Sequence, residues 1–176
     1  MRIVESITRW DTVWVMAIFG LNSRRALAAA MPCISRSGDG YGYPLIAALL
    51  MVAEPAAGRT FLAAALAAFA LELPAYKLAK RWVKRTRPFG ALPGVHGRVR
   101  PQDTFSFPSG HTAAAFVMAT LLGYIHPWLF PAAGLWASAV GFSRIYLGVH
   151  YPTDVMAGIV LGVTSACCGI AFAGVS

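Results

Sequence analysis

The sequence predicts an all-α, multi-pass transmembrane helical bundle of about five spans, preceded by N-terminal helices that lie in the membrane interface. Composition is the first reason. Of the 176 residues, 57% are hydrophobic and 12% are charged, whereas an ordinary soluble domain carries about 25% charged residues. One water-solvated core cannot absorb that many apolar side chains in a chain of single-domain length, so several must face lipid. Patterning is the second reason: five segments approach the roughly 20 apolar residues that cross a bilayer.

The N-terminal region, residues 1–38, holds two apolar runs, Thr12 to Leu21 and Ala26 to Ile34, both too short to span. Trp10, Trp14, Phe19 and Leu21 beside Arg9 and Arg24 fit helices lying in the interface. The polar step Asn22-Ser23-Arg24-Arg25 after the first run is unlike a signal-peptide cleavage site. Arg36 to Gly42 reads as a turn. The five span segments follow: Gly40 to Ala57, Thr60 to Ala79, Thr112 to Ile125 (extending back through Ser109 to His111), Trp128 to Tyr146, and Val155 to Val175. The alanines of the second read as close helix packing. Its Glu72 is an ionisable residue at depth, which marks a hydrogen bond, a partner for a site cation or a place near the interface. Residues 80–111 hold the one long loop, Arg81 to Phe107, and loops of that length are commonly functional. Cys33, Cys167 and Cys168 show no framework or ligand spacing and read as small packing residues.

Alternation of five spans places three polar clusters on one membrane face. They are Lys80 to Pro88, Phe107 to His111, and Ser143-Arg144 followed by His150 to Asp154. The net charge of +8 calls for an anionic partner. Nucleic acid is excluded as that partner, because the basic residues punctuate apolar segments and are not interleaved with exposed aromatics. Lys80, Arg87 and Arg144 together suit a phosphoryl group, whose transition-state charge is spread over its oxygens. Pro108-Ser109-Gly110-His111 opens a helix, and a helix N-terminus binds phosphate; Gly110 lets the backbone approach the anion. His111 then stands where it can donate a proton. Asp154, four residues after His150, can reach one ring nitrogen and free the other for attack. The seven acidic residues are scattered, so no carboxylate cluster is expected to hold a metal, and no cofactor is expected. Singly, each cluster also fits a plainer role: a headgroup-binding basic segment, a helix start, a hydrogen-bonded loop histidine. Jointly, in this order and on one face, they do not.

The three clusters resemble the signature of the type-2 phosphatidic acid phosphatase and vanadium-dependent haloperoxidase superfamily. Lys80, six residues and Arg87-Pro88 are followed by Pro108-Ser109-Gly110-His111, then by Ser143-Arg144, five residues, His150, three residues and Asp154. The resemblance implies a helical bundle in which Lys80, Arg87, Ser109, Gly110 and Arg144 hold phosphate. It implies that His150 attacks phosphorus, Asp154 orients His150, and His111 protonates the leaving group. The five spans fall one short of the six that many membrane members have. The substrate expected is a membrane lipid carrying a phosphomonoester or pyrophosphate, with polyprenyl (undecaprenyl) pyrophosphate favoured for a short chain with little mass outside the bilayer. Phosphatidic acid, phosphatidylglycerol phosphate and a lipid phosphotransferase are the alternatives. Of the fifteen Lys and Arg residues only Arg59 falls on the far face, so the charge rule points the site at the cytoplasm. The resemblance, to a family with many bacterial members working on the outer face, points the other way.

Overall fold

A computed structural model describes residues 2–21 and 24–175. Met1, Ser176 and Asn22-Ser23 of the polar step lie outside them. Among the described residues every regular element is helical. The α-helices are α1 (Arg2–Gly20), α2 (Arg25–Ser37), α3 (Tyr43–Ala53), α4 (Pro55–Val83), α5 (Pro88–Ala91), α6 (Gly110–Ile125), α7 (Phe130–Tyr146) and α8 (Pro152–Val175), with a 3₁₀ turn over Pro127–Leu129.

The helices begin and end where local chemistry directs. Proline stands in the first turn of α3, α4, α5 and α7, where a missing N–H costs nothing. The Glu54-Pro55 step cuts the expected first span, Gly40 to Ala57, so α3 stops at Ala53 after 11 residues. That is about 16 Å of helix, against a hydrocarbon core of about 30 Å. Two helices, α4 and α8, are long and apolar enough to cross a membrane by themselves; α3 and α6 are shorter apolar helices. At the N-terminus α1 runs from Arg2 and so includes the polar stretch before Thr12.

The core is built by α4, α6 and α8. Phe61, Ala64 and Ala68 meet Val117, Met118 and Leu121, with Ala166 closing the contact. Small residues allow this closeness. A Cβ on Gly162 of α8 would lie 2.3 Å from the Ala113 carbonyl oxygen of α6, and one on Gly169 would lie 2.3 Å from the Ala64 oxygen of α4. Backbones in such contact gain dispersion energy along their length, the usual currency of helix association in lipid. On the other side of α6, Ala115 and Ala119 pack on Ala137 and Val140 of α7. The first two helices seal the end of the bundle: Val15 against Ile145 and Val155, and Met31 against Tyr146 and Leu147. Outward, Leu66, Leu135, Val160 and Phe172 are each about two-thirds or more exposed, an apolar girdle of the kind that lipid covers.

The loop between α4 and α6 is docked on the α7–α8 turn by backbone bonds. Phe89 N–H donates to the Gly148 carbonyl (3.2 Å) and Arg98 N–H to that of Leu147 (3.1 Å). Gly148 has φ +72° and leaves no room for a side chain, its Cβ position being 3.0 Å from the His96 oxygen. This docking carries Arg87 to the base of α8.

Candidate active site

The structure brings the sequence-predicted residues to one end of the bundle. Lys80, Arg87, Ser109, Arg144, His150 and Asp154 are all buried, none more than 6% exposed; Gly110 and His111 are half-buried at the start of α6.

Asp154, in the first turn of α8, is held twice. Its Oδ2 accepts the Tyr151 backbone N–H at 2.8 Å, and its Oδ1 accepts from the Arg85 guanidinium at 2.8 Å. With the carboxylate fixed, Oδ2 lies 3.5 Å from Nδ1 of His150, too long for a well-formed hydrogen bond, and Nδ1 has no other partner among the described residues. Nε2 of His150 lies 3.2 Å from an Arg87 NH group. Guanidinium has only donors, so Nε2 must present its lone pair and the ring proton sits on Nδ1, facing Asp154. Burial, joined by the charges of Arg144 and Arg87 against the opposing pull of Asp154, pushes the His150 pKa down to about 3. The imidazole is therefore neutral at ordinary pH.

The cations are arranged around this ring. Arg87 also donates to the Val149 carbonyl at 2.8 Å and to Asp103 at 2.7 Å. Lys80 donates to Asp103 at 2.9 Å and to the Phe105 carbonyl at 2.5 Å. Arg144 donates to Ser35 of α2 at 2.5 Å, while its Nε is buried without a partner, as is Nε of Arg87. At the start of α6 the first intrahelical bond runs from Ala113 N–H to the Ser109 carbonyl, so the N–H groups of Gly110, His111 and Thr112 precede it and are open to an anion. Gly110 is required here by sterics as well: a Cβ would lie 2.7 Å from the Tyr76 ring.

Asp103 bridges Lys80 and Arg87 and accepts the Tyr76 hydroxyl. Burial raises its pKa, but the hydrogen bonds from Tyr76 and Lys80 and the two cations outweigh that and hold it below 3.8. On the opposite side, His111 Nε2 lies 2.7 Å from Asp39; a carboxylate accepts, so this nitrogen carries a proton.

Several functional neighbours escaped the sequence reading. Asp11 of α1 is fully buried and accepts from Arg85 at 2.6 Å, from Thr153 N–H at 3.0 Å and from the Thr153 hydroxyl at 2.5 Å. It holds the arginine that holds Asp154. Asp39, Ser35 and Tyr76 were likewise unmarked. Glu72 is 2% exposed, and makes no ion pair with a site cation among the described residues.

Two cavities meet at His111. One of about 360 Å³ is walled by Arg36, Arg98, Arg100 and Arg144. The other, about 250 Å³, lies among Tyr43, Phe69, Leu73 and Ala114.

Comparison with known proteins agrees with this geometry. A sequence profile described as the PAP2 superfamily matches residues 57–174. The chain is 35% identical over 153 residues to a decaprenylphosphoryl-5-phosphoribose phosphatase of Mycolicibacterium smegmatis, covering 84% of this chain and 80% of that protein. It is 28% identical over 152 residues to an undecaprenyl-diphosphatase of Sulfolobus acidocaldarius, covering 85% of this chain and 72% of that one. Among solved structures it superposes on Aquifex aeolicus LpxE with a TM-score of 0.73 at 26% identity, over 89% of this chain and 93% of that one. On a transmembrane PAP2-type phosphatidylglycerolphosphate phosphatase from Bacillus subtilis the TM-score is 0.75 at 28% identity, over 95% and 86%.

Proposed function

The chain belongs to the PAP2 superfamily of membrane lipid phosphatases, and we propose that it hydrolyses a phosphate ester or diphosphate of a bilayer lipid through a phosphohistidine on His150. The observation that carries this reading is the state of that ring: neutral, its Nε2 lone pair beside Arg87 and its Nδ1 proton facing Asp154. Such a ring is a nucleophile without needing to lose a proton first.

Lys80, Arg87, Arg144, the Ser109 hydroxyl and the N–H groups of Gly110 and His111 receive the phosphoryl oxygens, displacing Asp103. Nε2 attacks phosphorus as the bond to the leaving oxygen breaks. That oxygen takes the proton now shared between His111 and Asp39, so no alkoxide is released. The imidazolium formed at His150 is stabilised by Asp154. In the second step water attacks the phosphohistidine, His111 takes its proton, and phosphate leaves with His150 restored. The cations do the work of charge stabilisation that a metal does elsewhere. Among the described residues no three His, Cys, Asp or Glu side chains gather as a metal-ligand set.

The favoured substrate is a polyprenyl diphosphate, in keeping with the prenyl-lipid relatives. Residues 1–176 act as one multi-pass domain of about five membrane-crossing segments, with residues 1–38 along the interface and 80–111 forming the rim of the site.

The test is phosphate release from purified protein on prenyl diphosphates and phospholipids. Activity is expected to survive EDTA and to be inhibited by vanadate, whose trigonal bipyramid mimics the transition state. His150→Ala is expected to abolish both turnover and the acid-labile phosphoprotein trapped by rapid quenching. A folded His150→Ala protein that still turns over, or activity lost to EDTA and restored by magnesium, would overturn the mechanism.

A further inference from the structure

The polar cavity at His111 is walled by more positive charge than the hydrolysed phosphate requires. Four arginines, Arg36, Arg98, Arg100 and Arg144, line it, against the single acidic residue Asp39, whose carboxylate is engaged by His111. Arg144 belongs to the phosphate cradle described above. The other three do not, and their charge is unanswered: Arg36 and Arg100 form no ion pair among the described residues, and Arg98 has only the Phe19 ring, 5.8 Å from its guanidinium. A cavity lined by several cations attracts an anion.

The position of the cavity says which part of a substrate reaches it. In-line displacement puts the leaving oxygen opposite His150, at His111. His111 lines the cavity and His150 does not, so the atoms bonded to the leaving oxygen enter this space. The second cavity, with Phe69, Leu73 and Ala114 in its wall, shares His111, Asp39 and Gln102 with the first. It gives an apolar tail a separate way out. A monophosphate ester brings only neutral carbon to the arginines. A diphosphate brings a second phosphate, one bridging oxygen from the scissile phosphorus.

We infer that Arg36, Arg98 and Arg100 bind a second phosphate on the leaving group and make the enzyme select lipid diphosphates over lipid monophosphates. This rests on the hydrolase reading above. In the reaction Nε2 of His150 attacks the terminal phosphorus, the bridging P–O bond breaks and its oxygen takes a proton from His111; water then cleaves the P–N bond, and the products are inorganic phosphate and the lipid monophosphate, which leaves carrying the phosphate the arginines held.

The experiment compares kcat/KM for geranylgeranyl diphosphate and geranylgeranyl monophosphate in detergent. The wild type is expected to prefer the diphosphate. Arg98→Ala/Arg100→Ala is expected to lower the diphosphate-to-monophosphate ratio about tenfold or more, chiefly through KM, the size expected for losing charge-assisted hydrogen bonds. Arg100→Ala alone is expected to fall between, and Arg100→Lys to recover part of the ratio. Inorganic pyrophosphate should inhibit the wild type more strongly than inorganic phosphate, and the double variant should lose that difference. A ratio unchanged in Arg100→Ala and in the double variant, or a wild type that prefers the monophosphate, overturns the inference and leaves the hydrolase reading standing. No phosphate release from either substrate by the wild type would overturn both.

Discussion

Asp11 is the residue whose importance is least visible from its own neighbourhood. It stands on a helix with exposed Trp10, Val13 and Trp14 around it, yet its carboxylate is wholly buried and bonds Arg85 and Thr153. Arg85 in turn bonds Asp154, which faces His150. A buried charge is tolerated only when paired in this way. Arg85 and Asp154 stand between Asp11 and His150, so the role expected of Asp11 is to position them. Asp11→Asn keeps the shape and removes the charge that fixes Arg85. It is expected to lower kcat about tenfold, as loss of a supporting hydrogen bond commonly does, with KM unchanged and the helical circular dichroism intact. Equal losses in kcat and helicity would reduce Asp11 to a structural residue. Asp154→Asn, one step nearer the chemistry, is expected to cost more, on the order of 10²–10³ in kcat, because the Nδ1 proton then faces an amide that supplies no countercharge.

At the scale of elements, α8 decides the geometry. Its glycines let α6 settle so closely that the Ser109 N–H donates to the Asp154 carbonyl at 3.0 Å, which fixes the start of α6 against the residue that faces His150. The spacing of Gly158 and Gly162 along α8 faces Ser109 and Ala113 of α6. Gly162→Ala drives a methyl into the Ala113 carbonyl, and two packed backbones cannot rotate out of the way. It is expected to destabilise the protein by about 1–3 kcal/mol and to lower activity along with the thermal midpoint in detergent. Gly134→Ala in α7, where nothing lies within 4 Å of the added methyl, is expected to be neutral or to stabilise by up to about 1 kcal/mol. Matching thermal midpoints for the two variants would remove the close-packing argument.

For the whole molecule the open arrangement is how the helices sit in the bilayer. The five-segment reading puts the loop containing His96 and the α3–α4 junction on opposite faces, with α4 crossing between them. Gly58 cannot report the junction, since a Cβ there would lie 2.5 Å from the Met51 backbone. Exposed Ala56 can. In a background lacking Cys33, Cys167 and Cys168, an impermeant thiol reagent on intact cells is expected to label one of Ala56→Cys and His96→Cys and not the other. The charge rule predicts labelling at 56; labelling at 96 instead places the site outside, and labelling of both would show that α4 does not cross.

The motif residues were legible because each cluster is local. Lys80 and Arg87 flank the end of one helix, Ser109 to His111 open another, and His150 and Asp154 are one helical turn apart, so backbone periodicity and cap chemistry alone bring each set together. The membrane character was legible for the same kind of reason, since hydropathy is a sum over neighbours. The Glu54-Pro55 break was written in the chain too, but its effect was not, because proline at the first turn both ends one helix and starts the next. What only the tertiary structure decided is which solitary polar residues complete the site. Asp11 meets Thr153 across 142 positions, and Asp39 meets His111 across 72. A single aspartate with no partner nearby in the chain carries no spacing to read, and its role comes into being only when packing removes water and leaves a particular partner beside it. The three arginines of the polar cavity at His111 are of that kind: the sequence supplies their charge, and the fold gives it a place.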